Sequence, residues 1–107
     1  MKRGDVVVVA LHGDYGKPRP AVVVQSDMAE GGASLVVVPI TSSLVLDSDI
    51  RIAVAPSPAN GLRLRSQVMT EKIAAIPRTK VGQVIGHLDD EAMGKLNTQL
   101  AILLDLT

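Results

Sequence analysis

The chain has no cysteine, no tryptophan and no phenylalanine, and its only aromatic residue is Tyr15. Without cysteine there is no disulfide, no thiolate nucleophile and no thiolate metal site. That suits a reducing compartment. Without aromatics, the chain cannot build a sheet that reads single strands by stacking bases, because such platforms present Phe, Tyr or Trp. The two histidines, His12 and His87, stand 75 positions apart, and no His, Asp and Glu set has metal-ligand spacing. There is no phosphate-binding glycine loop and no dinucleotide fingerprint. No serine sits in a nucleophile elbow. No cofactor and no metal are therefore expected. The longest apolar runs fall far short of a membrane span, and the first residues do not read as a leader. The expectation is a cytoplasmic protein with no membrane partner.

What is present is a chain of 107 residues, 47% hydrophobic and 21% charged. That composition is globular, and the length predicts one domain over 1–107. Val, Ile, Leu, Ala and Met must build its core. The formal net charge is zero, but the charges are not evenly spread. Residues 1–50 and 81–107 are net acidic, whereas 51–80 hold Arg51, Arg63, Arg65, Lys72, Arg78 and Lys80 against Glu71 alone. A basic middle third in a neutral protein is either a solvated face or a surface for an anionic partner.

The first half follows strand grammar. Val6–Val9, Ala21–Val24 and Leu35–Val38 are short β-branched runs, each bounded by Gly, Pro or Asp. Because they are continuous and not alternating, they predict strands buried on both faces. In a small domain that means a curved sheet or a barrel, or a face covered by a second copy. Ile50 to Val54 and Leu62 to Leu64 alternate, the latter with arginine outward. Gln67 to Ile76 reads as extended and ends at Pro77. Residues 81–88 read as a helical turn and then a short strand. One helix is clear at the end. Asp89 caps it, Asp90 and Glu91 suit its dipole, and Leu88 and Met93 form a staple. Met93, Leu96, Leu100, Leu103 and Leu104 make its apolar stripe. The prediction is mainly β: a small SH3-like barrel of five to seven strands with a C-terminal α-helix.

Three segments carry candidate chemistry. Residues 11–20 join two strong strands and hold His12, Asp14, Tyr15, Lys17 and Arg19. Arg19 stands between Pro18 and Pro20, so its position is stiff. A fixed guanidinium suits bidentate contact with phosphate; an ordinary cationic hairpin loop has the same spacing. Val38-Pro39-Ile40-Thr41-Ser42-Ser43 sets three hydroxyls at the end of a strand, either as a capped turn or aimed into a groove. Arg65-Ser66-Gln67 enters the next strand and either bonds bases or lines a solvated face.

Taken in order, these segments resemble the MazF/PemK family of toxins. The resemblance rests on Arg3-Gly4-Asp5-Val6-Val7, on Gly16-Lys17-Pro18-Arg19-Pro20 leading into Ala21–Val24 and Gln25-Ser26-Asp27, and on Val38-Pro39-Ile40-Thr41-Ser42. It continues through Ile76-Pro77-Arg78 and Ile85-Gly86-His87-Leu88-Asp89 to the terminal helix. It implies the toxin of a toxin–antitoxin system: a metal-independent endoribonuclease acting on single-stranded RNA. It also implies a homodimer with RNA across its groove and an antitoxin whose disordered tail fills that groove. DNA is reached only indirectly, through the antitoxin complex. Arg19 matches the catalytic arginine and Thr41 the catalytic threonine. His12 is the one side chain of that loop that titrates near neutrality, and it is expected as an auxiliary acid or base. Lys17, Ser42, Arg65, Ser66 and Gln67 are the expected RNA contacts. Where some relatives carry an assisting acid, this chain reads Arg65-Ser66-Gln67, and Glu71 is the nearby carboxylate.

Two other readings keep the fold. One is a toxin resembling CcdB that poisons DNA gyrase and cuts nothing. The other is a β-barrel module that binds RNA or peptide without catalysis.

Overall fold

A computed structural model describes residues 1–10, 17–29 and 32–106. Seven strands, all paired antiparallel, are followed by one α-helix: β1 Asp5–Ala10, β2 Pro18–Val23, β3 Ser34–Thr41, β4 Ile52–Val54, β5 Ser66–Val68, β6 Ala74–Pro77, β7 Val81–His87 and α1 Asp90–Leu103. The strand order is β4-β5-β3-β2-β1-β7. β6 also pairs with β3, along residues 34–37, while β5 takes residues 40 and 41 of the same strand. The mainly β architecture with a terminal helix is as expected.

The valine runs are explained by two apolar clusters. Adjacent residues of a strand point to opposite faces. Val6, Val22, Val38 and Ile40 enter one cluster, together with Leu88, Leu96 and Leu100. Val7, Val9, Ala21, Val23 and Val37 enter the other, with Leu35 and Ile76. Both faces of β1 and β2 are thus buried within a single chain, so these runs do not by themselves demand a second copy. Register shifts between β1 and β7 at Val6/Val7 and Val7/Val9 are the irregularities that bend such a sheet.

The helix forms as its sequence dictates. The Asp89 carboxylate accepts from the Ala92 N–H at 2.8 Å, satisfying one of the first-turn donors. Leu96 is fully buried, which stabilises by about 1.5–3 kcal/mol. The helix ends beyond Leu103, where Asp105 takes a left-handed φ of 57° as such ends often do. Its stripe is shorter than expected. Leu96 and Leu100 are buried, but Leu103 and Leu104 are exposed.

The Arg3-Gly4-Asp5 motif fastens these parts together. Arg3 donates from Nε to the Val24 carbonyl at 2.9 Å and from Nη2 to Asn97 Oδ1 at 2.6 Å. It thereby ties the start of β1 to the end of β2 and to α1. Gly4 adopts φ +94° and donates its N–H to Val23 at 2.7 Å.

Three other expectations are corrected. Residues 62–64 are irregular, since their backbone follows the loop described below. The stretch from Gln67 to Ile76 is not continuous: a 3₁₀ turn at Thr70–Lys72 separates β5 from β6, and Pro77 is the last residue of β6. The helical turn expected within 81–88 falls earlier, at Arg78–Lys80, and Val81–His87 is all strand.

Candidate active site

β2 and β3 run paired from Val23–Val37 to Ala21–Pro39, and their ladder stops there. Pro18, Pro20 and Pro39 have no N–H to carry it further. Continued by two residues, the register would set Arg19 opposite Thr41. The strands part over this stretch. Beside Arg19 a cleft of about 670 Å³ opens, bounded by β2, β3, β5, β7 and residues 61–64. Its apolar wall includes Val8, Pro20, Ile40, Leu62 and Ile85. Its polar groups come from Arg19, Arg63, Ser42, Ser66 and Gln83. Among the described lining residues the charged groups are Arg19 and Arg63. An apolar cleft with a few converging polar groups is the usual form of a binding site.

The expected site residues therefore divide. Arg19, Ser42 and Ser66 meet at this cleft. Ser66 is buried, and its hydroxyl donates to the Leu64 carbonyl at 2.8 Å, which shapes the wall beneath Arg63. Thr41 adjoins Ser42 but does not line the cleft; its Oγ1 accepts the Ser43 N–H at 3.0 Å. Lys17 and Arg65 are exposed and lie outside the cleft lining. His12 lies outside the described residues. Among those described, no three of His, Asp and Glu gather as metal ligands.

Gln67 has a bracing role. It pairs with Thr41 across β3 and β5. Its Oε1 accepts the Val45 N–H at 3.0 Å and its Nε2 donates to the Val45 carbonyl at 2.8 Å. Both ends of the amide are thus engaged with the segment that follows Thr41 and Ser42.

Beneath it, Arg51 donates from Nε and Nη2 to Glu71 Oε2, at 3.0 and 2.8 Å. Burial pushes the Glu71 carboxyl up, but the Arg51 hydrogen bonds and charge outweigh it and hold the group below its ordinary value of 4.5. Glu71 therefore stays ionised and paired, which makes it a poor proton acceptor for chemistry elsewhere. A folded value below the unfolded one stabilises above about pH 4.5, and this contribution is lost as pH falls through the lower folded value. Glu71→Gln is expected to cost at most about 1 kcal/mol at pH 7, since the pair is partly solvated. The difference from wild type should be smaller at pH 3 than at pH 7. Urea unfolding at the two pH values checks this, and equal losses at both would contradict it.

Arg63 and Gln83 are the cleft residues that motif reading passed over. Arg63 belonged to the basic block, but its alternation with Leu62 and Leu64 placed it on an outer face. Gln83 had no sequence signal. The segment carrying Arg63 is fixed by a buried asparagine. Asn60 Oδ1 accepts from Ser57 N at 3.0 Å and Leu62 N at 2.9 Å, while Nδ2 donates to the Ala55 carbonyl at 2.9 Å. The loop then lies directly on β7, where His87 N donates to the Ala59 carbonyl at 2.9 Å. Only glycine fits at Gly61, which has φ +70° and where an added Cβ would stand 2.2 Å from the Ile85 carbonyl oxygen.

Similarity to known proteins extends along nearly the whole chain. Residues 2–104 match the family described as PemK-like, MazF-like toxin of type II toxin-antitoxin system. The chain is 36% identical to a probable endoribonuclease MazF of Mycolicibacterium smegmatis, over 99% of its own length and 98% of that protein's. It is 28% identical to the endoribonuclease EndoA of Bacillus subtilis, over 99% and 96% of the two chains. Its fold is similar to that of a mycobacterial endoribonuclease solved in complex with its cognate antitoxin, with a TM-score of 0.82, 25% identity and coverage of 100% and 97%. The chain belongs to the PemK-like, MazF-like toxins of type II toxin–antitoxin systems.

Proposed function

We propose that this chain is the toxin of a toxin–antitoxin pair and an endoribonuclease that cuts single-stranded RNA without a metal ion. The observation that carries the reading is the cleft lined by Arg19, Arg63, Ser42 and Ser66, in a chain whose relatives are named endoribonucleases.

In this reaction the RNA's own 2′-hydroxyl attacks the adjacent phosphorus. The bond to the 5′-oxygen breaks, leaving a 2′,3′-cyclic phosphate on one fragment and a 5′-hydroxyl on the other. The 2′-oxygen loses a proton and the departing oxygen gains one. No protein nucleophile is required. Arg19 stabilises the charge of the crowded phosphorane, where preorganised donors act most strongly. Thr41 orients the phosphate: its oxygen is occupied by the Ser43 N–H, which leaves its own O–H to donate. His12, which precedes Arg19 in the sequence, is the auxiliary acid or base of this scheme, because imidazole is the side chain suited to exchanging protons near neutral pH. Ser42 and Ser66 offer hydroxyls to the strand within the cleft, while Lys17 and Arg65 attract it from outside. Gln67 acts indirectly, by holding the segment after Thr41.

The partners in this reading are RNA, a cognate antitoxin and a second copy of the chain. A similar solved endoribonuclease is bound to its antitoxin, and the exposed apolar end of α1 offers surface for contact. The test is incubation of purified protein with a mixed-sequence RNA pool in excess EDTA. Cleavage with cyclic phosphate ends is expected. Intact RNA, or cleavage that needs an added metal ion, would refute the proposal.

A further inference from the structure

We infer that Gln67 is a positioning residue: its side-chain amide clamps Val45 and, through Ser43, aims the Thr41 hydroxyl at the scissile phosphate. The inference rests on the endoribonuclease reading and on the role Thr41 has in it.

Packing holds the segment after β3 only weakly. Residues 42–47 are all exposed, including the apolar Leu44, Val45 and Leu46. A stretch that buries so little is fixed by its hydrogen bonds or not at all. The Gln67 amide meets both backbone groups of Val45, accepting from its N–H at 3.0 Å and donating to its carbonyl at 2.8 Å. One side chain thus stands in for a neighbouring strand. Arg51 sets the sense of that amide. Its Nη1 donates to Gln67 Oε1 at 3.5 Å, so a reversed amide would point its NH2 at two donors. Glu71 in turn holds Arg51.

The clamp reaches Thr41 by a short path. Thr41 stands opposite Gln67 in the β3–β5 register. Two residues on, the Ser43 N–H donates to Thr41 Oγ1 at 3.0 Å. That N–H is held from both sides, by β3 at Thr41 and by Gln67 at Val45. It occupies one lone pair of the Thr41 oxygen and so restricts where the O–H can point. Released from Gln67, Val45 would carry Ser43 with it, and the hydroxyl would lose its aim. Misplacing a group that orients the reacting phosphate lowers the rate of the chemical step. A contact between Gln67 and an RNA base would be felt in KM instead. It is disfavoured because both ends of the amide are already engaged.

The experiment compares wild type, Gln67→Met, Gln67→Glu, Thr41→Val and the double variant on one oligonucleotide chosen from those cleaved in the pool. Methionine keeps the length of the side chain but makes neither bond to Val45. Gln67→Met should lower kcat by roughly 10–100-fold while KM holds within about twofold. Gln67→Glu still accepts from Val45 and Arg51 but cannot donate to the Val45 carbonyl, so its kcat should fall in between. Thr41→Val has no hydroxyl to aim, so adding Gln67→Met to it should cost less than about twofold. Asn97→Ala, which removes a hydrogen bond from Arg3 outside the cleft lining, controls for a merely structural loss and should leave kcat unchanged. An unchanged kcat in Gln67→Met, with or without a rise in KM, overturns the inference. So does an equal loss in the wild-type and Thr41→Val backgrounds. Amide exchange at Val45, read by NMR, tests the clamp without any cleavage: faster exchange in Gln67→Met supports it, and equal exchange removes it. If wild type cleaves nothing, the endoribonuclease reading fails separately, and the exchange alone decides the clamp.

Discussion

Arg19→Ala is expected to lower kcat for RNA cleavage by about 10²–10³-fold, the usual effect of deleting a preorganised donor to a charged transition state. The effect should fall on kcat because the phosphorane carries more charge than the ground-state phosphate. Arg19 belongs to β2, between two prolines and in register with Val9. Its backbone is thus fixed before substrate arrives. Removing the side chain leaves no cavity in the core, since the residue is exposed, so melting temperature should change little. Arg19→Lys keeps the charge but loses the two-pronged geometry, and should recover only part of the rate. Single-turnover kinetics on a cleaved oligonucleotide separates these outcomes. An Arg19→Ala protein that cuts at the wild-type rate would end its assignment as charge stabiliser.

Gly61→Ala is expected to destabilise by about 2–5 kcal/mol. A left-handed backbone costs a non-glycine residue about 1–2 kcal/mol. The new methyl would also meet the Ile85 carbonyl oxygen at 2.2 Å, and a backbone displacement of that kind costs about 1–3 kcal/mol more. For a domain of this size, that lowers Tm by roughly 10–20 °C. Gly94→Ala supplies the contrast. Gly94 lies on the helix with nothing within 4 Å of an added Cβ, so alanine there should stabilise by about 0.5–1 kcal/mol. Thermal unfolding of both variants checks the pair, and a Gly61→Ala protein as stable as wild type would contradict the close packing of the loop on β7. Because Leu62 and Arg63 follow Gly61 directly, that variant should also bind RNA more weakly while still folded at low temperature.

The residues that were legible in the sequence share a local signal. Asp89 caps a helix through its own side chain, so the cap can be read without knowing what the helix packs on. Valine runs announce strands, and the prolines around Arg19 announce a stiff entry to one. Elements governed by distant contacts were not legible in this way. The break at Thr70–Lys72 lies within a stretch of ordinary extended composition. Leu103 and Leu104 keep helical spacing, but their exposure depends on what the rest of the fold sets against the helix. Gln67 has the polarity of a base reader, yet its amide is engaged by Val45, 22 positions earlier.

The sequence by itself determined that this is a β-rich chain with one terminal helix, and that Arg19 stands at the mouth of one strand and Thr41 at the end of a later one. Those properties follow from periodicity, proline and glycine placement, and the ordered motifs of the family. Only the tertiary structure decided that both faces of the valine strands are buried within one chain. The tertiary structure also turned Arg63, read as an outward residue of an alternating strand, into the second cation of the cleft. The physical reason is the loop that carries it. Its course is set by the Asn60 hydrogen bonds and by the contact of Gly61 with β7, which join residues distant in sequence and leave no periodic trace.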